Sequence, residues 1–213
     1  MAITAAVCGM LAAGPVACGG TADPGGERAS AELARLRGLL REEASELPDG
    51  FSARSRDGWV PPFKAADNDC QLLFDTAGGM PSQRGRGTWV AVTYPGDRVG
   101  ELAGVSLASY TPEDARLRFT RLTQALNGCR IARTSLAGRS TSLRVSGLNL
   151  DAAGADVQAR RLHGRLNGYP YEIHMVFALA GHTLVSLVHA GVAGVDAERT
   201  GQIARSLIGR AAL

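Results

Sequence analysis

The sequence predicts an α+β domain in which helices pack on an antiparallel sheet of about six or seven strands. Three observations predict it. Short apolar strands recur at close intervals between residues 130 and 189, and strands so spaced pair as a meander. One strongly marked helix, 111–129, separates them from an earlier strand pair. Amphipathic helical patterns open and close the domain, at 30–47 and 196–209,. A chain of 213 residues with 45% hydrophobic and 20% charged residues is long and apolar enough to bury one core.

In chain order, 30–47 places Leu33, Leu36, Leu40 and Leu47 at helical spacing, and Pro48-Asp49-Gly50 ends the helix,. The stretch 51–63 is extended or loop, because Pro61-Pro62 forbids a helix,. A short helix at 67–76 carries Cys70, and 80–87 is a loop. The strand 88–94 alternates Trp89, Ala91 and Thr93 on one face with Val90, Val92 and Tyr94 on the other,. Pro95-Gly96 turns the chain into a second strand at 102–110.

In helix 111–129, Thr111 suits the N-cap, Pro112 the first helical position, and Glu113 and Asp114 the positive end of the dipole,. Ala115, Phe119, Leu122 and Leu126 form its apolar stripe, and Asn127-Gly128 stops it,. Strands then follow at 130–135, 140–148, 157–167, 169–179 and 183–189, with Ala180-Gly181 as the expected turn of the last hairpin,. Asp196 caps the final helix, whose Ile203, Leu207 and Ile208 point inward,.

The amino terminus reads as an export signal. No charged residue precedes Asp23, and 2–14 is an apolar run of the length of a signal h-region,. Gly14, Pro15, Gly19 and Gly20 interrupt it before the roughly 20 apolar residues that a membrane span needs. Val16-Ala17-Cys18 resembles the end of a bacterial lipoprotein processing site, where a peptidase cuts before the cysteine and acyl chains are added to it. The expected organisation is a signal peptide at 1–17, a lipidated Cys18 with a Gly- and Pro-rich tether to 29, and one domain at 30–213,. The protein is then exported and held at the outer face of the cell membrane.

Of four cysteines, Cys8 leaves with the signal and Cys18 takes lipid, so Cys70 and Cys129 remain for the domain. Export places them where disulfides persist. Two buried thiols or a metal pair are the alternatives. Neither cysteine lies in a Cys-x-x-Cys motif, which disfavours zinc.

The layout around "DNDCQLLF" (67–74) and "LTQALNGCR" (122–130) resembles the extracellular sensor-like domain of actinobacterial receptor serine/threonine kinases, which also occurs in stand-alone lipoproteins. The resemblance extends over about 30–213. It implies a cleft between sheet and helices that takes some envelope ligand, and it assigns no individual binding residue. The chain carries no kinase glycine loop and no His-Arg-Asp motif,.

Catalytic signatures are also absent: there is no Gly-x-Ser-x-Gly, no His-Glu-x-x-His and no phosphate loop,. Neither an enzyme activity nor a cofactor is expected. Asp67-Asn68-Asp69 opens like a calcium loop, but the sixth and twelfth places hold Leu72 and Gly78, so a helix cap is the better reading. A net charge of +3, from 23 basic and 20 acidic residues, is too balanced for a nucleic-acid footprint. All the basic residues but Lys64 are arginine, which fits a GC-rich coding genome.

Two groups of residues are candidates for binding. With an Ala180-Gly181 turn, Glu172 lies opposite His189 and His174 opposite Leu187, on the face that carries Val176 and Val185,. This cluster could sense pH, hold a metal or bind a ligand; equally, it could be a half-solvated face with a cross-strand ion pair. Trp59 and Phe63, near two prolines, could border the same cleft or anchor a rigid loop in the core. The favoured function is a non-catalytic ligand-binding or sensing lipoprotein. The alternative is a module docking on another envelope protein.

Overall fold

The computed structural model describes residues 24–80, 87–136, 139–150 and 156–213. Cys18 and most of the 80–87 loop lie outside them. Eight strands form one antiparallel sheet, in the order β1-β2-β3-β8-β7-β6-β5-β4. They are β1 (Arg56–Asp57), β2 (Thr88–Pro95), β3 (Leu102–Ser109), β4 (Ile131–Leu136), β5 (Arg139–Gly147), β6 (Asp156–Leu166), β7 (Tyr169–Ala180) and β8 (Thr183–Val192). The helices are α1 (Pro24–Glu46), α2 (Asn68–Ala77), α3 (Pro112–Gly128) and α4 (Ala197–Ala211).

The α+β class holds, with one strand more than expected. The extra strand is β1, two residues within the stretch read as extended, pairing Arg56 with Thr93 and Asp57 with Val92 at the sheet edge. Helix α1 begins at Pro24, inside the stretch read as tether.

Alternation along the strands sorts the core into two clusters, one on each side of the sheet. On one side, Ile173, Met175, Phe177, Leu184 and Val188 meet Leu73 and Phe74 of α2 and Phe119 and Leu122 of α3. On the other, Val105, Leu107, Val176, Val185 and Leu187 meet Leu36 and Leu40 of α1 and Ile203 and Leu207 of α4. Helices therefore cover both faces, including the face of the late strands that was expected to stay open.

The last hairpin turns at Gly181 and His182, since Ala180 pairs with Thr183, and Gly181 supplies the positive φ of 59°,. His174 therefore lies opposite His189, Glu172 opposite Gly191 and Val176 opposite Leu187. The shift from the expected pairing is two residues, so every side chain keeps its face; a shift of one would have exchanged the faces.

Cys70 in the first turn of α2 is disulfide-bonded to Cys129 at the end of α3, with Cα atoms 4.9 Å apart. Asp67 is the N-cap of α2 and accepts a hydrogen bond from the Cys70 amide at 3.0 Å. The cap reading is the correct one. Asp67→Ala is expected to lower stability by about 1 kcal/mol, measurable as a shift of the denaturation midpoint at unchanged m-value.

Candidate functional site

The expected cleft residues do not form one site. Trp59 is 5% and Phe63 6% exposed, and both rings pack edge-on against Phe74, at 6.0 and 5.4 Å between centroids. Gly104 makes room for the indole: a Cβ there would come within 2.6 Å of the Trp59 Cβ. The pair anchors its loop in the α2–α3 core, whereas the histidines lie on the opposite face of the sheet.

There, under α4, His174 and His189 are 1% and 0% exposed. Both Nδ1 atoms lie 2.8 Å from the Thr200 hydroxyl oxygen. His174 Nε2 faces Glu172 at 2.8 Å and His189 Nε2 faces Glu101 at 3.1 Å. Arg161 donates to Glu172 at 2.7 Å, and Arg199 to Glu101 at 2.9 Å. Burial pushes both imidazoles below the ordinary histidine range, against the pull of the carboxylates beside them. Burial also pushes Glu172 up, but hydrogen bonds from Arg161 and His174 outweigh it and hold the carboxyl low.

This network pins α4 to the middle of the sheet. Among the described residues, no group of three or more His, Cys, Asp and Glu is placed to hold a metal ion.

Open space lies on both faces: a groove of about 870 Å³ runs between α1 and β2, and a smaller, more enclosed cavity lies on the face of α2 and α3. This cavity, of about 180 Å³, opens between α2, α3 and strands β2, β3 and β8. Its origin is a run of small residues across three strands: Ala91 pairs with Ser106, and Ser106 with Ser186. Next along the same face stands Ala108. Helices held off the sheet by larger side chains, such as Leu184 of β8 and Leu122 of α3 itself, cannot settle onto this strip,.

At the end of α2, Gly79 adopts a φ of +69°, and a Cβ there would come within 2.8 Å of Ala91 Cβ. Glycine is thus required both by the turn and by the close approach. Beyond it, Met80 and the half-exposed Trp89 border the mouth.

Polar groups converge on this apolar space. Ser106 Oγ donates to the Thr76 carbonyl at 3.3 Å. Ser186 is fully buried, and its Oγ has no hydrogen-bond partner. From α3, Arg118 lies over the Tyr110 ring, 4.4 Å from its centroid, and Arg121 lines the same cavity one turn on. Asp75 of α2 also faces it, with Oδ1 accepting from Gln71 at 2.6 Å.

Sequence reading did not single out these residues. The available signal was a serine in the centre of two largely apolar strands, since a buried polar residue is the informative exception in a core.

No protein-family model matches the chain, and no curated protein matches it. Its fold does match solved structures. It is similar to the extracellular domain of PknH from Mycobacterium tuberculosis, with a TM-score of 0.63 at 13% identity over 84% of this chain and 95% of that one. The Rv0999 ortholog from Mycobacterium smegmatis gives 0.49 at 13% identity, over 82% and 96% of the two chains. The likeness to the PknH domain is one of fold, and it supports the sensor-like layout read from the sequence.

Proposed function

We propose that this chain is an exported, membrane-anchored domain that binds a small ligand without transforming it, in the cavity between α2, α3 and the sheet. The observation that carries the reading is the unpartnered Ser186 hydroxyl at the floor of an apolar cavity. A buried polar group without a partner costs about 1–3 kcal/mol, and a ligand atom beside it recovers that. An apolar lining with a few converging polar groups is the usual make-up of a small-molecule site.

No histidine or cysteine lines the cavity among the described residues. Ser106 donates to a backbone carbonyl and Ser186 has no hydrogen-bond partner, so neither is paired with a base that would activate it, and binding is favoured over catalysis,. Likeness of fold to an extracellular domain supports export. Anchoring through Cys18 rests on the resemblance of Val16-Ala17-Cys18 to a lipoprotein processing site.

A second reading, docking on another envelope protein, draws on Val60, Met80 and Trp89. These are 79%, 48% and 42% exposed and share one shallow depression beside the cavity.

Mass spectrometry of small molecules co-purifying with the native protein tests the first reading. A stoichiometric ligand lost on Ser186→Leu, which fills the cavity, supports it. A co-purifying protein lost on Trp89→Ala, with no small molecule, favours the second. Cys18→Ala is expected to release the protein from the membrane fraction, and an unchanged distribution after fractionation refutes the anchor.

A further inference from the structure

The groove between α1 and β2 lies on the face of the sheet opposite the cavity, and its walls are apolar. Leu33, Leu40 and Ala44 of α1 and Val90, Val92 and Tyr94 of β2 line it. The sheet ends beneath this helix, because β1 pairs only with Val92 and Thr93. The groove therefore stays open at the edge, with a volume of about 870 Å³. From Leu33 to Ala44 the helix advances about 16 Å at 1.5 Å per residue, so the apolar strip is long rather than round.

Arg37 and Arg41 also line the groove. They stand four residues apart on one side of α1, where like charges destabilise a helix. Nothing beside them on the helix offsets this. Apart from each other, the residues three and four positions away are Leu33, Ala34, Gly38, Leu40, Ala44 and Ser45. Neither arginine has an ion pair among the described residues. Glu32, Glu42, Glu43 and Glu46 project from the other half of the helix. There Glu32 pairs with Arg35, and Glu43 and Glu46 pair with Arg210 of α4. Among the described residues no acidic side chain lines the groove. Asp57, opposite Val92 at the sheet edge, pairs with neither arginine. The stretch 80–88 that leads into β2 holds two arginines and no acidic residue.

We propose that this groove binds an anionic lipid with one acyl chain. The acyl chain lies along the apolar strip, and the acidic head sits between Arg37 and Arg41. The anion relieves the repulsion between the two guanidinium groups, and each can donate a charge-assisted hydrogen bond to it. The buried methylenes of the chain supply the rest of the affinity. An amphiphile with an uncharged head gains only the second contribution.

The test is calorimetric titration of the full-length Cys18→Ala chain, which carries no acyl group of its own to compete. Laurate, decanoate and dodecyl maltoside are the probes, each below its micelle-forming concentration. Laurate should bind at one site per chain, roughly tenfold or more tighter than dodecyl maltoside, which has the same tail and a neutral head. It should also bind roughly tenfold tighter than decanoate, which is two methylenes shorter. Arg37→Gln with Arg41→Gln should weaken laurate roughly tenfold or more and leave dodecyl maltoside unchanged. Both positions are exposed, so the variant should fold as the parent does, which denaturation midpoints check. Ala34→Glu, which sets a carboxylate one turn before Arg37, should weaken laurate in the same selective way. Ser186→Leu, which fills the cavity on the other face, should leave laurate unchanged.

Equal affinity for laurate and dodecyl maltoside overturns the anionic class. Laurate binding that survives the arginine double variant and is lost on Ser186→Leu places the lipid in the cavity and overturns the groove. Absence of laurate binding, or an acidic protein held through Arg37 and Arg41 in its place, also overturns the inference, and each leaves the cavity reading to stand or fall on its own co-purifying ligand.

Discussion

Reduction of the Cys70–Cys129 disulfide is expected to remove about 4 kcal/mol of stability, because it frees the unfolded chain from a loop of 59 residues,. Domains of this kind have about 5–15 kcal/mol in total, so the loss is a large share of it. The Cys70→Ala, Cys129→Ala double variant should behave like the reduced protein, with a small further loss for the two buried side chains. Urea denaturation of the oxidised, reduced and double-variant forms measures this, and coincident midpoints would exclude a stabilising role.

The bond also joins α2 to α3, the two helices that wall the cavity. Loss of the bond should therefore weaken any ligand bound there more than ligand-independent stability alone explains. Binding in the cavity would then depend on the redox state of this one covalent contact.

The fold was legible wherever the signal was local. Helix α3 declares itself through Thr111, whose Oγ1 accepts from the Asp114 amide at 3.2 Å, and through Pro112 next to it. Asp196 does the same for α4, accepting from the amides of Glu198 and Arg199. Seven of the eight strands follow from apolar alternation. The eighth, β1, is two exposed residues held by its neighbour, and its own sequence carries no pattern.

What was not legible is which elements meet. The pairing of β3 with β8 spans about 80 residues of sequence, yet it alone puts Ser106 beside Ser186. Each serine reads locally as an ordinary strand residue, and only the pairing makes the two a polar floor. The histidine cluster shows the converse. Its members were found because β7 and β8 are adjacent in sequence. Their burial was not legible, because α4, arriving from the chain end, covers them with Thr200.

That cover leads to the second large effect. Thr200→Val keeps the shape of the side chain and removes the hydroxyl on which both imidazoles converge. Two buried ring nitrogens then lose a partner, at about 1–3 kcal/mol each, and the variant should be destabilised by a sizeable fraction of the whole.

The same network sets the pH dependence. Glu172, Arg161, Glu101 and Arg199 face the two rings from the sheet and α4, and Asp196 holds the Thr200 hydroxyl through its carbonyl at 2.9 Å. The arginines already balance both carboxylates, so a proton on either ring adds an uncompensated buried charge. Burial accordingly holds both histidines low in the folded state. As pH falls below the unfolded histidine value of about 6.5, the unfolded chain takes up these protons first, and stability falls with pH.

Glu172, also held low in the folded state, acts in the same direction at lower pH. Its contribution is present above the unfolded carboxyl value and is lost as pH falls through the folded one. Wild-type stability should therefore be level above about pH 7 and decline in two stages below it. A His174→Gln, His189→Gln double variant should start lower, because the network is broken, but lose the first stage of the decline. Denaturation midpoints measured from pH 8 to pH 4 separate the two: a first stage that persists in the double variant would place its origin outside these two rings.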